Sequence, residues 1–395
     1  MHKPLHATPV TGFAAAIASR LARWVCIVSL IAWAAPGLAQ DASSALYVRA
    51  DSDETVVITP RVGLTLPIDD ATQVDAAYVV DVWTSASIDI RTSASRVIQQ
   101  AQGDRVSPEV PPITEQRDEL DVGIGREIGN ARLRADYRYS TEPDYESHGG
   151  SLGGELDFAD RNTTLALSLS GSLDSVGRVG DPAFDRDLRT LGAKLAYTQV
   201  LGPSTMVQGV YDLSHAKGYL SSPYRFIGIG SDNGVCEAGA SMCMPETNPD
   251  IRLRHAFAVR GRQAFGDPLS GGVSYRFTTD DWGLRSHTAE VDGAWVPDPD
   301  TLIGLRYRFY VQNAAVHYQL VYDDLTPDGL YTRDKELSPL QSHRIMLDLE
   351  RSWALPDDGE LRTSLGLGPT FYLYDDFLLD QVTAFEVTFA VAVMP

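Results

Sequence analysis

The chain has 395 residues, with 33 Lys and Arg against 53 Asp and Glu and a formal net charge of −20. That balance excludes a nucleic-acid binder, which needs clustered Lys and Arg. Hydrophobic residues make up 44%, yet they are spread as short alternating runs and not as helical spans.

Lys3, Arg20 and Arg23 precede an apolar run over 24–35, and Pro36-Gly37-Leu38-Ala39 follows with small residues where a signal peptidase reads. The pattern predicts a signal peptide over 1–39, cleaved after Ala39. The run is too short for a membrane-spanning helix. Cys26 lies inside it, away from the cleavage site, which argues against a lipoprotein. Nothing after residue 40 approaches a transmembrane helix. An exported chain of this kind crosses a membrane only with strands closed into a barrel, because lipid satisfies no backbone group. The mature chain, 40–395, keeps 30 basic against 53 acidic residues, a charge of −23. Its only lysines are Lys194, Lys217 and Lys335. Arginine pairs with carboxylates through a planar fork, so this bias points to charges held against each other on a lumen wall.

Sixteen strands are predicted, at about 45–51, 55–66, 72–84, 115–128, 131–140, 147–158, 163–174, 187–200, 205–218, 250–265, 269–280, 284–296, 301–316, 342–354, 359–374 and 380–394. Without the weak first strand, fifteen or fourteen are the alternatives. Short connections rich in Gly, Pro, Asp and Asn, at 67–71, 129–130, 159–162, 201–204, 266–268, 297–300 and 355–358, have tight-turn chemistry. Between them fall the long connections 85–114, 175–186, 219–249 and 317–341. Outer-membrane barrels have this rhythm of short periplasmic turns and long outer loops. Pro60, inside the second strand, predicts a bulge or local break.

Successive strand side chains point to opposite faces. In 384–393, Phe385, Val387, Phe389, Val391 and Val393 share one face, and Glu386 and Thr388 lie on the other. In 131–140, Leu133, Tyr137 and Tyr139 oppose Arg132, Arg134, Asp136 and Arg138. In 250–265, Ile251, Leu253, Phe257 and Val259 oppose Arg252, Arg254, Arg260 and Arg262. In 301–311, Ile303, Leu305, Tyr307 and Phe309 oppose Arg306 and Arg308. An Arg facing lipid near the midplane costs about 2–4 kcal/mol, so the charged face points inward. Asp348, Glu350 and Glu386 share that inward parity, as do Arg61, Arg276, Arg344 and Arg362. A soluble sandwich would alternate too, over a packed core; the export signal, strand number and turn rhythm favour the barrel. Trp295 and Trp353 sit before short turns, as girdle aromatics do. Trp83 and Trp282 lie at the opposite strand ends.

Cys236 and Cys243 are the only mature cysteines, and an exported chain favours a loop-closing disulfide between them. Two thiols lack the further ligands of a closed zinc site.

The segment 80–95 holds Asp81 and then Thr-Ser-Ala-Ser twice, at 84–87 and 92–95; Glu115-Gln116-Arg117-Asp118-Glu119 opens the next strand. In these motifs the chain resembles a family of uncharacterised bacterial outer-membrane β-barrel proteins, a domain of unknown function with paired Ala-Ser motifs. Their specific part lies within about residues 47–125. The resemblance implies a barrel in the outer membrane and carries no catalytic residues. The chain departs from most outer-membrane barrels in ending Val393-Met394-Pro395, where an aromatic residue usually meets the assembly machinery.

A hydrolase needs a Ser within reach of an oriented His. The candidates are His148, His215, His255, His287, His317 and His343, without a G-x-S-x-G elbow. His148-Gly149-Gly150-Ser151 resembles a site only by eye, and His215 and His255 fall on the lipid-facing parity. Acidic turn pairs such as Asp323-Asp324 lack calcium-loop spacing. No metal, cofactor or enzyme activity is expected. The expected partners are outer-membrane lipid, the barrel-assembly machinery and an unidentified periplasmic partner. The residues of 85–114 fit a solvated loop or a lumen plug equally in kind, with composition favouring the loop. The sequence therefore predicts an all-β, transmembrane antiparallel barrel. Its best function is a passive pore or transport component for small polar or anionic solutes, with a non-conducting scaffold barrel as the alternative.

Overall fold

The computed structural model describes residues 41–85, 113–236, 239–356 and 359–394. The signal peptide expected over 1–39 and nearly all of the 85–114 segment lie outside the described residues. The strands, in chain order, are β1 (Asp41–Asp51), β2 (Thr55–Asp69), β3 (Thr72–Ser85), β4 (Ile113–Ile128), β5 (Ala131–Glu142), β6 (Tyr145–Phe158), β7 (Thr163–Val176), β8 (Arg186–Gly202) and β9 (Thr205–Gly218). Then follow β10 (Phe226–Ile229), β11 (Met242–Pro245), β12 (Ile251–Ala264), β13 (Leu269–Asp280), β14 (Arg285–Asp298), β15 (Thr301–Gln312), β16 (Leu340–Ala354), β17 (Glu360–Tyr374) and β18 (Gln381–Met394).

Sixteen of these strands form one closed antiparallel barrel, each beside its neighbour in sequence, with β12 following β9 and β1 closing on β18. The closing register runs through Arg49↔Glu386 and Tyr47↔Thr388. The weak first strand is thus a full barrel member, and it begins four residues earlier than the sequence suggests. The ladder from β2 to β3 holds Ile58↔Val82 and Arg61↔Val79 with Thr59 and Pro60 skipped between them. Proline has no N–H to give there, and this is the local break expected at Pro60. The strand expected to reach 316 ends at Gln312. Beyond it Asn313 bonds the backbone of Gly283, and Ala315 N–H donates to Leu337 O.

The alternation sorts the two faces as the charges require. Leu133, Leu152, Leu169, Leu191, Val259, Val273, Leu305 and Phe385 are exposed on the outer face. Lipid would cover this band, and no core is packed against it. The outer face also carries a recurring pair. Tyr137, Tyr211, Tyr275 and Tyr307 place their hydroxyls 2.8, 2.9, 2.6 and 2.8 Å from Nδ1 of His148, His255, His287 and His343. Each tyrosine lies on the strand preceding its histidine in the ring. Ser151 points the other way and donates to Asp136 at 3.0 Å, so the His148–Ser151 stretch assembles no nucleophile pair.

The buried apolar clusters lie at the long-loop end. Trp282, Leu284, Ala315, Tyr318 and Leu337 form one, and Ile227, Ile229, Tyr322 and Tyr331 another. Trp282 is therefore not a girdle residue: it is 5% exposed and packs under the loops. Trp295 and Trp353 are exposed near the short turns, as expected of a girdle.

Candidate functional site

Ring closure decides which walls face each other, something parity alone leaves open. Counting around the barrel, β3–β6 lie nearly opposite β12–β15. The first wall is rich in carboxylates and its arginines are all engaged. Arg117 pairs with Asp81, which also accepts from Thr59. Arg134 bridges Asp75 at 2.6 Å and Asp136 at 2.8 Å. Arg138 bonds Asp121 at 2.7 Å, and Arg132 bonds Glu155 at 2.8 Å. Each carboxylate lies on a strand next to its arginine or within two strands of it, so ladder register supplies these pairs.

The facing wall is built differently. Arg252 pairs with Asp280 at 2.6 Å and lies over the Trp282 ring, 4.3 Å from its centroid. Arg262 pairs with Asp292 at 3.0 Å. Arg306 reaches Glu290 and Asp348 only at 3.9 Å. Among the described residues, Arg254, Arg260, Arg276 and Arg308 have no carboxylate within ion-pair reach. Toward the closing strands, Arg344 bonds Glu386 at 2.7 Å, and Glu386 also accepts from Tyr47 and Thr370. Glu350 pairs with Arg362 at 3.4 Å. Of the residues expected to line a lumen, Arg132, Arg134, Asp136, Arg252, Arg254, Arg260, Arg262, Arg306, Arg308, Asp348 and Glu350 border the cavities inside the barrel.

Between the walls the barrel is hollow. A cavity of about 860 Å³ runs along β4–β9 to Arg260 and Arg276, and one of about 1000 Å³ runs from Gln208 through Arg306 and Arg344 to Glu350. Small inward residues, Ala166, Ala196, Ala256 and Ala258, leave this room.

The long-loop end is roofed. The loop 219–250 carries the β10–β11 hairpin, whose Cys236 and Cys243 are disulfide-bonded with Cα atoms 5.5 Å apart. It docks on the loop 313–339 through an Ile229–Tyr322 bridge and a two-way backbone pair between Thr247 and Tyr331. Arg225 Nη1 bonds Glu246 Oε1 at 2.9 Å. Glu246 is 3% exposed and also accepts from Thr332 Oγ1 and from the Ser222 N–H, both at 2.6 Å. Burial pushes the Glu246 carboxyl up from its ordinary range, while Arg225 pulls it down. Tyr224 donates to Asp144 in the β5–β6 turn, and Lys335 lies 3.9 Å from Asp53 in the β1–β2 turn. The two loops therefore meet each other and reach turns a quarter of the ring away. The sequence marked both as long loops and paired the cysteines; it carried no signal for the interlock.

These residues fit a known family. The chain belongs to a protein family of unknown function, DUF3570. Its family model matches residues 37–345. No curated protein is similar in sequence. Among solved structures, a bacterial polysaccharide outer membrane secretin aligns with TM-score 0.50 at 10% identity, over 90% of this chain and 98% of that one. The ferric enterobactin receptor of Pseudomonas aeruginosa aligns with TM-score 0.43 at 12% identity, over 85% of this chain and 54% of the receptor. OpdK of Pseudomonas aeruginosa, solved with vanillate, aligns with TM-score 0.43 at 8% identity, over 89% and 97%. At such identities the likeness concerns the fold: this DUF3570 member is a closed sixteen-stranded antiparallel β-barrel, similar in fold to outer-membrane proteins.

Proposed function

We propose that this DUF3570 barrel is a passive, lid-gated pore or transport component for small polar solutes, with anions favoured. One observation carries the reading: a wall on β12–β15, where Arg254, Arg260, Arg276 and Arg308 have no ion pair among the described residues, faces a carboxylate-rich wall across a hollow lumen. Fixed charge lining a narrow pore selects among ions and solutes, and a sixteen-stranded barrel is wide enough for an aqueous channel. Opposed walls set up a transverse field that orients polar solutes, and the unneutralised arginines tilt the balance toward anions.

Planar-bilayer recording of residues 40–395 in a salt gradient tests this. Discrete conductance steps with a reversal potential on the anion side support the reading. Silence from a correctly folded, heat-modifiable barrel refutes it. The interlocked loops favour one second reading, a non-conducting barrel whose roof presents a surface to a partner. Recovery of a single stoichiometric partner together with that silence would establish it.

A further inference from the structure

A cavity of about 420 Å³ lies directly beneath the roof. Its wall includes Arg254 of β12, Arg276 of β13 and Arg308 of β15, three of the four arginines of the β12–β15 wall that have no ion pair among the described residues. Arg276 stands opposite Thr288 in the ladder, and Thr288 stands opposite Tyr310, one inward step from Arg308. Arg254 lies two inward steps above Ala258, the register partner of Arg276. The intervening inward position is Ala256, so the guanidinium groups extend over small side chains into open space.

Three guanidinium groups around one space repel one another, and arginine keeps its charge at every accessible pH. Of the carboxylates nearby, two are engaged. Asp280 is held by Arg252, and Asp334, which lines the cavity from above, is held by Arg225 at 3.0 Å. Glu290 faces Arg308 in register, but its nearest ion pair is Arg306 at 3.9 Å. Glu336, also on the roof, is pushed toward its neutral form by burial. The charge on this side of the lumen is thus left for something other than the chain.

We infer that this cavity is a binding site for a small solute bearing two or more carboxylate or phosphate groups, a docking step within the pore proposed above and resting on that reading. Guanidinium forks match carboxylate and phosphate oxygens two at a time. Three forks exceed what one monoacid can use, and Thr278 and Thr288 add hydroxyls between them. The volume lies in the range of small-molecule sites, about 300–1,000 Å³. Leu220 and Asn248 of one loop and Asp334 and Glu336 of the other line the cavity from the long-loop side.

The test is calorimetric titration of the folded mature chain with citrate, pyrophosphate and acetate, beside bilayer recordings of the same preparation. Citrate or pyrophosphate should bind saturably and block current, and acetate should do neither. Arg276→Gln, Arg308→Gln and Arg254→Gln should each weaken that binding about tenfold or more, the loss expected for a charge-assisted hydrogen bond. Arg351→Gln, whose residue pairs with Asp298 at the short-turn end, should leave it unchanged. Three separate variants keep the test open if one fails to fold. Conductance without citrate or pyrophosphate binding, or binding indifferent to all three substitutions, overturns the site and leaves the pore reading standing. Binding with the expected variant losses but no conductance overturns the pore and retains the site.

Discussion

Arg225 Nη1 lies 3.0 Å from Asp334 Oδ2, joining the 219–250 loop to the 313–339 loop over the barrel mouth. The same nitrogen bonds Glu246, so one guanidinium latches two carboxylates from two loops. The barrel itself needs none of this, because its ladders are complete without the loops. The roof is therefore a separate unit set on a continuous barrel wall, which is the arrangement expected of elements that open locally.

Arg225→Gln should unlatch the roof and spare the barrel. It strands the buried Glu246 carboxylate, and breaking a buried pair costs about 3–5 kcal/mol. Brief proteinase K digestion should then cut first within 219–250 and 313–339, and open dwell times in bilayers should lengthen. Heat-modifiable mobility should not change. Unchanged digestion would show that Arg225 is not the latch.

Gly234→Ala should act on the same roof through sterics. Gly234 has φ +70°, and a Cβ placed there would lie 1.8 Å from the Leu320 carbonyl oxygen of the facing loop. Both the left-handed backbone and the contact demand glycine. The expected phenotype matches that of Arg225→Gln, with no loss of barrel. A normal roof in Gly234→Ala would mean that the loops approach less closely than described.

How far the sequence reached depends on where the physics is local. The inward placement of Arg132, Arg134 and Arg138 is legible because lipid penalises the wrong parity at every second residue. That Arg134 binds Asp75, or that Arg276 and Arg308 have no ion pair among the described residues, is not legible, because it depends on strand register and on partners tens of residues away. The roof shows the same limit. Phe226–Ile229 is too short to stand out as a strand, and Arg225 and Asp334 share no pattern in the chain. Trp282 carries only strand-end position as a local signal, and that does not distinguish a girdle aromatic from one packed under the loops. The four Tyr–His pairs could have been found by extending the lipid-facing parity of His255 to His148, His287 and His343.

Reduction of the Cys236–Cys243 bond should loosen the β10–β11 hairpin. For so short a loop the chain-entropy model gives about 2–3 kcal/mol. Cys236→Ser/Cys243→Ser, or dithiothreitol on the long-loop side, should raise protease cutting near 230–245 and leave strand content by circular dichroism intact. A hairpin equally resistant with and without the bond would assign its order to Ile227, Ile229 and Tyr322 instead.

The roof should also respond to pH through His317. It is buried against Trp282, with ring centroids 5.1 Å apart, and Nε2 lies 3.0 Å from Asn248 Oδ1. Burial holds its pKa below the ordinary 6.5, with Arg252 adding to the effect and Asp328 and Asp280 opposing it. A basic group with a depressed folded pKa binds more protons once released, so the docked roof loses stability as pH falls below 6.5. Glu246 and Glu336 have raised values, and they favour the docked roof as pH falls toward 4.5. The two effects oppose each other in the wild type. His317→Gln removes one of them, so its roof should tighten as pH falls toward 4.5, read as falling protease sensitivity. Identical pH profiles for wild type and His317→Gln would remove His317 from this role.

The parity of the β12 wall can be tested at two adjacent residues. Val259 is 63% exposed on the outer face, and Ala258 lines the lumen opposite Arg276. Val259→Arg puts a charge into lipid at a cost of about 2–4 kcal/mol. It should lower the fraction of folded, heat-modifiable barrel in urea titrations. Ala258→Arg meets water instead of lipid and should fold nearly as well as the wild type, while narrowing the lumen and strengthening anion preference. If Ala258→Arg were the more damaging change, the inner and outer faces of β12 would be reversed, and with them the arginine wall on which the pore reading stands.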